Sequence, residues 1–68
     1  ENSILFRGVH VKKGAIVRNA IVMQDGIIGE DSQLNYVIAD KNVVVGDRKL
    51  LMGDGGVPFV IKKEQQVL

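Results

Sequence analysis

The sequence predicts an all-β fold, a single-stranded parallel β-helix of three 17-residue coils followed by a C-terminal capping segment. Two observations support this prediction. Shifting the sequence by 17 residues aligns three rows without gaps, residues 2–18, 19–35 and 36–52. Along these rows, aliphatic residues recur in steps of five or six, and no helical stripe runs through the chain. A fixed period of this kind indicates a repeat protein in which each coil packs on the next.

The aligned rows place aliphatic residues in three columns. These columns are Leu5/Val22/Ala39, Val11/Ile28/Val45 and Val17/Leu34/Leu51. A column of mostly smaller residues lies two positions earlier in each case: Ser3/Ala20/Val37, Val9/Gly26/Val43 and Ala15/Ser32/Lys49. Lys49 is the one exception to this pattern. Since alternate residues of a strand point to the same side, both kinds of column should face the inside of a triangular tube.

Residues 1–52 are therefore expected to hold the coils, and residues 53–68 to form a turn and a cap or tail. Gly, Asn and Asp lie between the predicted strands, where tight corners are needed. In the tail, Pro58 suits an edge strand, and we expect Phe59 and Ile61 to plug the last coil. Lys62 to Leu68 is expected to be a frayed end or a short terminal segment.

Composition excludes several classes of function. The 68 residues make one domain at most, and the net charge of +1 is too small for a typical nucleic-acid binder. The three aromatic residues, Phe6, Tyr36 and Phe59, are too few for a base-stacking platform. No apolar run suits a membrane span, and no signal peptide is evident. The lack of Cys fits a cytoplasmic protein, and the first residue, Glu1, suggests a piece of a longer chain.

The spacing of aliphatic and small residues resembles the hexapeptide-repeat proteins, whose fold is a left-handed parallel β-helix. A more specific resemblance rests on four strings, NSILFRGV, VRNAIVMQD, IGE and VIADKNVVV. Together they are similar to the C-terminal domain of bacterial glucose-1-phosphate adenylyltransferase (ADP-glucose pyrophosphorylase). The tail PFVIKK is more similar to the auxiliary, regulatory-type subunit of glycogen synthesis, the GlgD type.

This resemblance implies a parent reaction in which ATP and glucose 1-phosphate give ADP-glucose and pyrophosphate, with Mg²⁺. In the family, an N-terminal nucleotide-binding domain performs this chemistry, and we expect that domain to be absent here. The resemblance therefore implies no catalytic, cofactor-binding or metal-binding residue in this chain. It implies a structural and regulatory domain that joins subunits in a homo- or hetero-tetramer.

Two sets of residues are candidates for these roles. Ile4, Ile21 and Ile38 form an outward column that is isoleucine in every coil, and a stacked apolar stripe indicates a subunit interface. The alternative is that β-branched residues simply favour strands. Basic residues of the first coil, Arg7, Lys12 and Arg18, are candidates for contact with a phosphorylated effector, because Arg suits phosphate. The alternative is ordinary solvated charge at the corners of the tube.

Other residues favour simpler interpretations. His10, the only histidine, aligns with outward Ile27 and Val44, so a surface role is favoured over a catalytic base or a zinc ligand. The loop 53–56 lacks the Lys-Ser/Thr pair of a phosphate-binding loop. A fragment of a hexapeptide acyltransferase is the main alternative for the whole chain. An adaptor β-helix without an enzymatic parent is a third.

Overall fold

The structure, a computed structural model, describes residues 2–68; Glu1, at the start of the predicted segment 1–52, lies outside the described residues. The described part of the chain is built from short strands and turns and contains no helix. The strands are β1 (Ile4–Leu5), β2 (His10–Val11), β3 (Ile16–Arg18), β4 (Ile21–Val22), β5 (Ile27–Ile28), β6 (Gln33–Asn35), β7 (Val37–Ala39), β8 (Val44–Val45), β9 (Leu50–Met52), β10 (Phe59–Ile61) and β11 (Gln66–Val67).

The strands form three parallel sheets, one for each side of a tube. Their orders are β1-β4-β7-β10, β2-β5-β8-β11 and β3-β6-β9. Every pairing is parallel, and among the first three coils the paired strand residues are 17 positions apart, as Ile4 is from Ile21 and Ile21 from Ile38. The predicted all-β parallel β-helix is thus confirmed.

The core fills the inside of this tube. The predicted inward residues of the second coil, Val22, Ile28 and Leu34, have essentially no exposed surface. The corresponding residues of the third coil are buried as well: Ala39, Val45 and Leu51. Each buried Val, Leu or Ile stabilises the fold by roughly 1.5–3 kcal/mol. Stacking these layers provides a core that a chain of this size otherwise lacks, although Leu5 and Val11, the inward residues of the first coil, remain exposed.

A polar side chain also lies inside the tube and has its hydrogen bonds satisfied. Ser32 is completely buried. Its hydroxyl donates to the Gly46 carbonyl at 2.7 Å and accepts from the Lys49 N–H at 3.0 Å. Among residues 2–68, every buried side-chain polar atom has a partner. Ser32 therefore links the second and third coils without the cost of an unpaired buried group.

The corners of the tube use left-handed backbone conformations. One residue at each corner of the first three coils has a positive φ, and these residues stack in columns: Asn2/Asn19/Tyr36, Gly8/Asp25/Asn42 and Gly14/Asp31/Arg48. The second column continues to Glu64 in the tail. Gly, Asn and Asp tolerate this region, whereas Tyr36, Arg48 and Glu64 adopt it at an energetic cost.

Gly8 and Gly14 are required for a second reason. A Cβ atom on Gly8 would collide with the Asp25 carboxylate, and one on Gly14 would collide with that of Asp31. The carboxylate of the second coil therefore fills the space below the glycine of the first coil. The positive φ of both glycines adds to the strain that any larger residue would cause there.

The tail contains a fourth, partial coil that continues two of the sheets. β10 pairs with β7 and β11 pairs with β8, both in parallel. Ile61 is buried in the core, and Phe59 pairs with inward Val37 and is partly exposed. The burial of Ile61 agrees with the predicted plug, whereas Phe59 is exposed, and the plugging role of the tail stays a prediction. Lys62 to Leu68, expected to be a frayed end or short terminal segment, includes the paired strand β11.

An insertion separates the fourth coil from the 17-residue repeat. Phe59 pairs with Val37, so Pro58 occupies the position of Tyr36, whose φ is 56°. Proline cannot adopt a positive φ, so this corner must be built differently. In the loop that replaces it, Asp54 Oδ1 accepts from the N–H groups of Gly56 and Val57 at 2.8 and 2.9 Å. Pro58 directly precedes β10, which is an edge strand as the sequence indicated.

Deleting residues 57–68 should lower the melting temperature, because it uncovers the third coil and removes the buried Ile61. Loss of that side chain alone costs about 2 kcal/mol, or roughly 10 °C in a domain of this size. Thermal unfolding followed by circular dichroism measures the change. Ile61→Ala should account for much of it, whereas outward Val60→Ala serves as the control. An unchanged melting temperature after the deletion would show that the tail does not plug the tube.

Arg48→Asn should stabilise the chain by about 0.5–1 kcal/mol, because Asn tolerates the left-handed conformation of this exposed corner better than Arg does. Arg48→Val should destabilise it, since β-branched residues are the least tolerant of positive φ. Urea unfolding gives both free energies. Equal midpoints for the two variants would contradict the assigned corner conformation.

Candidate subunit interface

An aliphatic column runs along the outer face of the sheet β1-β4-β7-β10. Ile4, Ile21 and Ile38 pair in register on this face, as the sequence predicted for the stripe. Val60 pairs with Ile38 and extends the column into the fourth coil. Ile4 and Val60 are exposed, and Ile21 and Ile38 are half-buried. We call these four residues the outer stripe.

Sequence reasoning missed Val60 because the insertion before Pro58 breaks the 17-residue repeat. A signal was nevertheless present, since Phe59, Val60 and Ile61 form an apolar run that suits a strand, and successive residues of a strand point to opposite sides. Aligning the tail to the third coil with a five-residue gap places Val60 in the same column as Ile38.

The outer stripe has an apolar neighbour on one side. Two residues after Ile4 and Ile21, the outward positions hold Phe6, which is exposed, and Met23, which is half-buried. At the corresponding positions of the third and fourth coils lie Asp40 and Lys62. The apolar surface is therefore widest at the first two coils and narrows to a single column at the last two.

The other two faces are less uniform. The outward column on β2-β5-β8-β11 reads His10, Ile27, Val44 and Gln66. On β3-β6-β9 the outward column reads Ile16, Gln33 and Leu50. Within the described residues, only the sheet that carries the outer stripe has an outward-facing aliphatic residue on every strand. A contiguous apolar face of this kind is typical of a surface that contacts another protein.

The structure does not bring the three basic candidates together. Arg7 directly precedes the corner at Gly8, Lys12 lies near the corner at Gly14, and Arg18 directly precedes the corner at Asn19. All three are exposed. They occupy three different corners of the first coil, and residues 2–68 form no pocket between them. Contact with a phosphorylated effector therefore stays a prediction.

His10 is exposed on β2 and pairs in register with Ile27, at the outward position that the sequence indicated. In the part of the chain that the structure describes, no group of three or more His, Asp or Glu residues could hold a metal ion. Residues 2–68 also contain no helix that is long and apolar enough to cross a membrane.

A comparison with protein families identifies the type of β-helix. The model of the family described as "GlmU-like, C-terminal hexapeptide" matches residues 1–54. The chain belongs to this hexapeptide family. The match confirms the predicted fold class, a left-handed parallel β-helix of the hexapeptide-repeat type, for a chain whose strands all pair in parallel.

Curated relatives of this hexapeptide domain carry the name glucose-1-phosphate adenylyltransferase. The protein from Acetivibrio thermocellus is 44% identical over 62 residues, which cover 90% of this chain and 14% of that protein. The protein from Parafrankia sp. is 44% identical over 43 residues, covering 63% of this chain and 10% of that protein. The protein from Clostridium perfringens strain SM101 is 35% identical over 74 residues, which cover 75% of this chain and 19% of that protein. No solved structure matches the chain.

These relatives confirm the resemblance to the C-terminal domain of bacterial glucose-1-phosphate adenylyltransferase. The chain spans at most about a fifth of each of these proteins. Similarity to the auxiliary, GlgD-type subunit stays a prediction, since the relatives are named as the adenylyltransferase itself. None of these three relatives is named as an acyltransferase, the alternative that the sequence left open.

Proposed function

We propose that this chain is the structural and regulatory oligomerisation domain of a glucose-1-phosphate adenylyltransferase subunit. The observation that carries the proposal is the outer stripe, an aliphatic column present in all four coils on one rigid sheet. The parent enzyme would convert ATP and glucose 1-phosphate to ADP-glucose and pyrophosphate with Mg²⁺. It would work in the cytoplasm, within the pathway of glycogen synthesis.

The chemistry of the parent reaction is assigned to another domain. Phosphoryl and nucleotidyl transfer need a cradle for the phosphates and acidic groups for the metal ion. The described residues offer neither a pocket nor an acidic cluster that could provide them. The resemblance to the adenylyltransferase assigns this chemistry to an N-terminal nucleotide-binding domain, and we propose contact between subunits as the role of the present domain.

The outer stripe suits such a contact because its geometry is fixed before binding. Each of its residues lies on a strand that is paired on at least one side, so little backbone freedom remains to be lost on association. Exposed Ile4 and Val60 and half-buried Ile21 and Ile38 provide apolar surface that association would remove from water. The partner would be another subunit of the same enzyme, in a homo- or hetero-tetramer.

Regulation would follow from the same rigidity. A tube held by stacked parallel sheets moves as a single body, so a shift at one subunit contact is passed on to the next. An effector that favours one packing of the subunits would then change the activity of the attached catalytic domains by its differential affinity for the two states. The domain would transmit this change without taking part in the chemistry.

Ile21→Glu should weaken self-association of the chain at least tenfold, because it places a charge at the centre of the apolar face, where burial is costly. A tenfold change in dissociation constant corresponds to about 1.4 kcal/mol. Sedimentation velocity over a range of concentrations measures it. The matched control is Gln33→Glu, which adds the same charge at an exposed outward position of the same coil on another sheet.

The two variants together make the outcome clear. Melting temperatures establish that both are folded before their association is compared. Loss of association in Ile21→Glu but not in Gln33→Glu supports the outer stripe as the interface. Equal association of the two variants, or a wild-type chain that stays monomeric at millimolar concentration, would refute it.

A further inference from the structure

A second exposed line of side chains lies on the sheet β3-β6-β9, away from the outer stripe. It follows β9 and consists of the alternate residues Arg48, Leu50, Met52 and Asp54, which are all exposed. Leu50 is 65% exposed and Met52 is 47% exposed. Both face outward, opposite to the buried Leu51 between them, because alternate residues of a strand point to the same side. We call these four residues the β9 line.

The exposure of the two apolar residues comes from their outward position. Gln33, which pairs with Leu50, lies on β6 between two paired strands and is nevertheless exposed. The outward residues of that second coil, Gln33 and Asn35, are polar and suit contact with water. Leu50 and Met52 instead place apolar surface in water at the same columns. These two side chains therefore gain the most from a partner that covers them.

Opposite charges lie at the two ends of the β9 line. Arg48 occupies the corner directly before β9. Asp54 belongs to the insertion after β9, and its Oδ1 accepts from the N–H groups of Gly56 and Val57 at 2.8 and 2.9 Å. These hydrogen bonds hold the carboxylate near the end of the strand. Along an extended strand the two charged residues are roughly 15–20 Å apart, too far to pair with each other within one chain.

We propose that the β9 line is a contact surface for the β9 line of a second copy of this chain. A two-fold axis parallel to the tube reverses the line, so it sets Arg48 against the partner's Asp54 and Leu50 against the partner's Met52. Each ion pair and each apolar contact then occurs twice, as in any isologous interface. The apolar pair lies at the centre and the charges lie at the rim, which is the usual arrangement of a protein interface.

The charges also exclude the other two-fold arrangement of the same surface. An axis that runs along the strand would set Arg48 against the partner's Arg48 and Asp54 against the partner's Asp54. Like charges that face each other across an interface cost affinity and suppress the wrong pairing. The β9 line is therefore complementary to itself in one orientation only, with the two tubes side by side and parallel.

This contact is separate from the outer stripe, which lies on another sheet. A closed tetramer built from two kinds of two-fold contact needs two different surfaces on each subunit, since one such surface yields only a dimer. The β9 line would provide the second surface of the proposed tetramer. The inference rests on the charges of the β9 line and not on the outer stripe, so either contact can fail without the other.

The test uses two variants that carry like charges at both ends of the β9 line. Arg48→Asp leaves two acidic ends and Asp54→Lys leaves two basic ends, so each should weaken self-association at least tenfold by repulsion. An equimolar mixture restores both ion pairs and should associate at least tenfold more tightly than either variant alone. Both changes are made in the Ile21→Glu chain, which disables the outer stripe. Sedimentation velocity up to millimolar concentration gives the dissociation constants.

Control variants separate this contact from net charge and from folding. Lys63→Asp makes the same change in charge as Arg48→Asp at an exposed position beside another sheet, and it should leave association unchanged. Asp31 occupies the corner equivalent to Arg48 one coil earlier, so aspartate tolerates the positive φ there. Asp54→Asn keeps an oxygen acceptor for the loop and removes only the charge, so it should weaken association in the same direction as Asp54→Lys.

The comparison with the outer stripe identifies which contact has failed. If the mixture associates no more tightly than the separate variants, or if the Ile21→Glu chain stays monomeric at millimolar concentration, the β9 line is not an interface. If Ile21→Glu weakens association of the original chain while Arg48→Asp and Asp54→Lys have no effect, the proposed function stands and this inference is overturned. Association of the mixture alone supports the β9 line whatever Ile21→Glu does.

Discussion

The architecture depends on one constraint: each coil must return to its starting direction after 17 residues. Three corners per coil accomplish this, and each uses one residue with positive φ. Left-handed backbone is costly for most residues, so the corners restrict which residues the sequence can hold there. Asn2, Asn19, Asp25, Asp31 and Asn42 meet this restriction, and Gly8 and Gly14 meet it with a carboxylate of the next coil packed against them.

Once the corners are in place, the remaining features follow from stacking. Residues 17 apart must pair, so inward positions meet only inward positions and the core extends as continuous columns. Outward positions meet in the same way, which is why isoleucine at position 4 is followed by isoleucine at positions 21 and 38 on one face. The core and the candidate interface are two sides of the same strands. A one-residue shift in the register of strand pairing would turn the inward side chains outward and the outward side chains inward. Both the core and the candidate interface would then be lost.

The columns of the core and the outer stripe could be predicted from the sequence because the 17-residue period has no gap over residues 2–52. The fourth coil could not, since five extra residues before Pro58 hide the alignment of Phe59 with Val37. Positive φ at Tyr36 and Arg48 also escaped prediction, because residue preference favours Gly, Asn or Asp and stacking outweighs it.

The most direct test of the stacking account is an internal insertion of a second copy of residues 19–35 after Asn35, compared with a copy shortened by its last residue. The full copy adds 17 residues and keeps every column in register, so it should fold and unfold cooperatively at a higher temperature than the original chain. The 16-residue copy shifts all later residues by one and turns their inward side chains outward. It should lose cooperative unfolding by circular dichroism. Equal, cooperative unfolding of the two insertions would contradict the coil register on which the fold and the proposed interface rest.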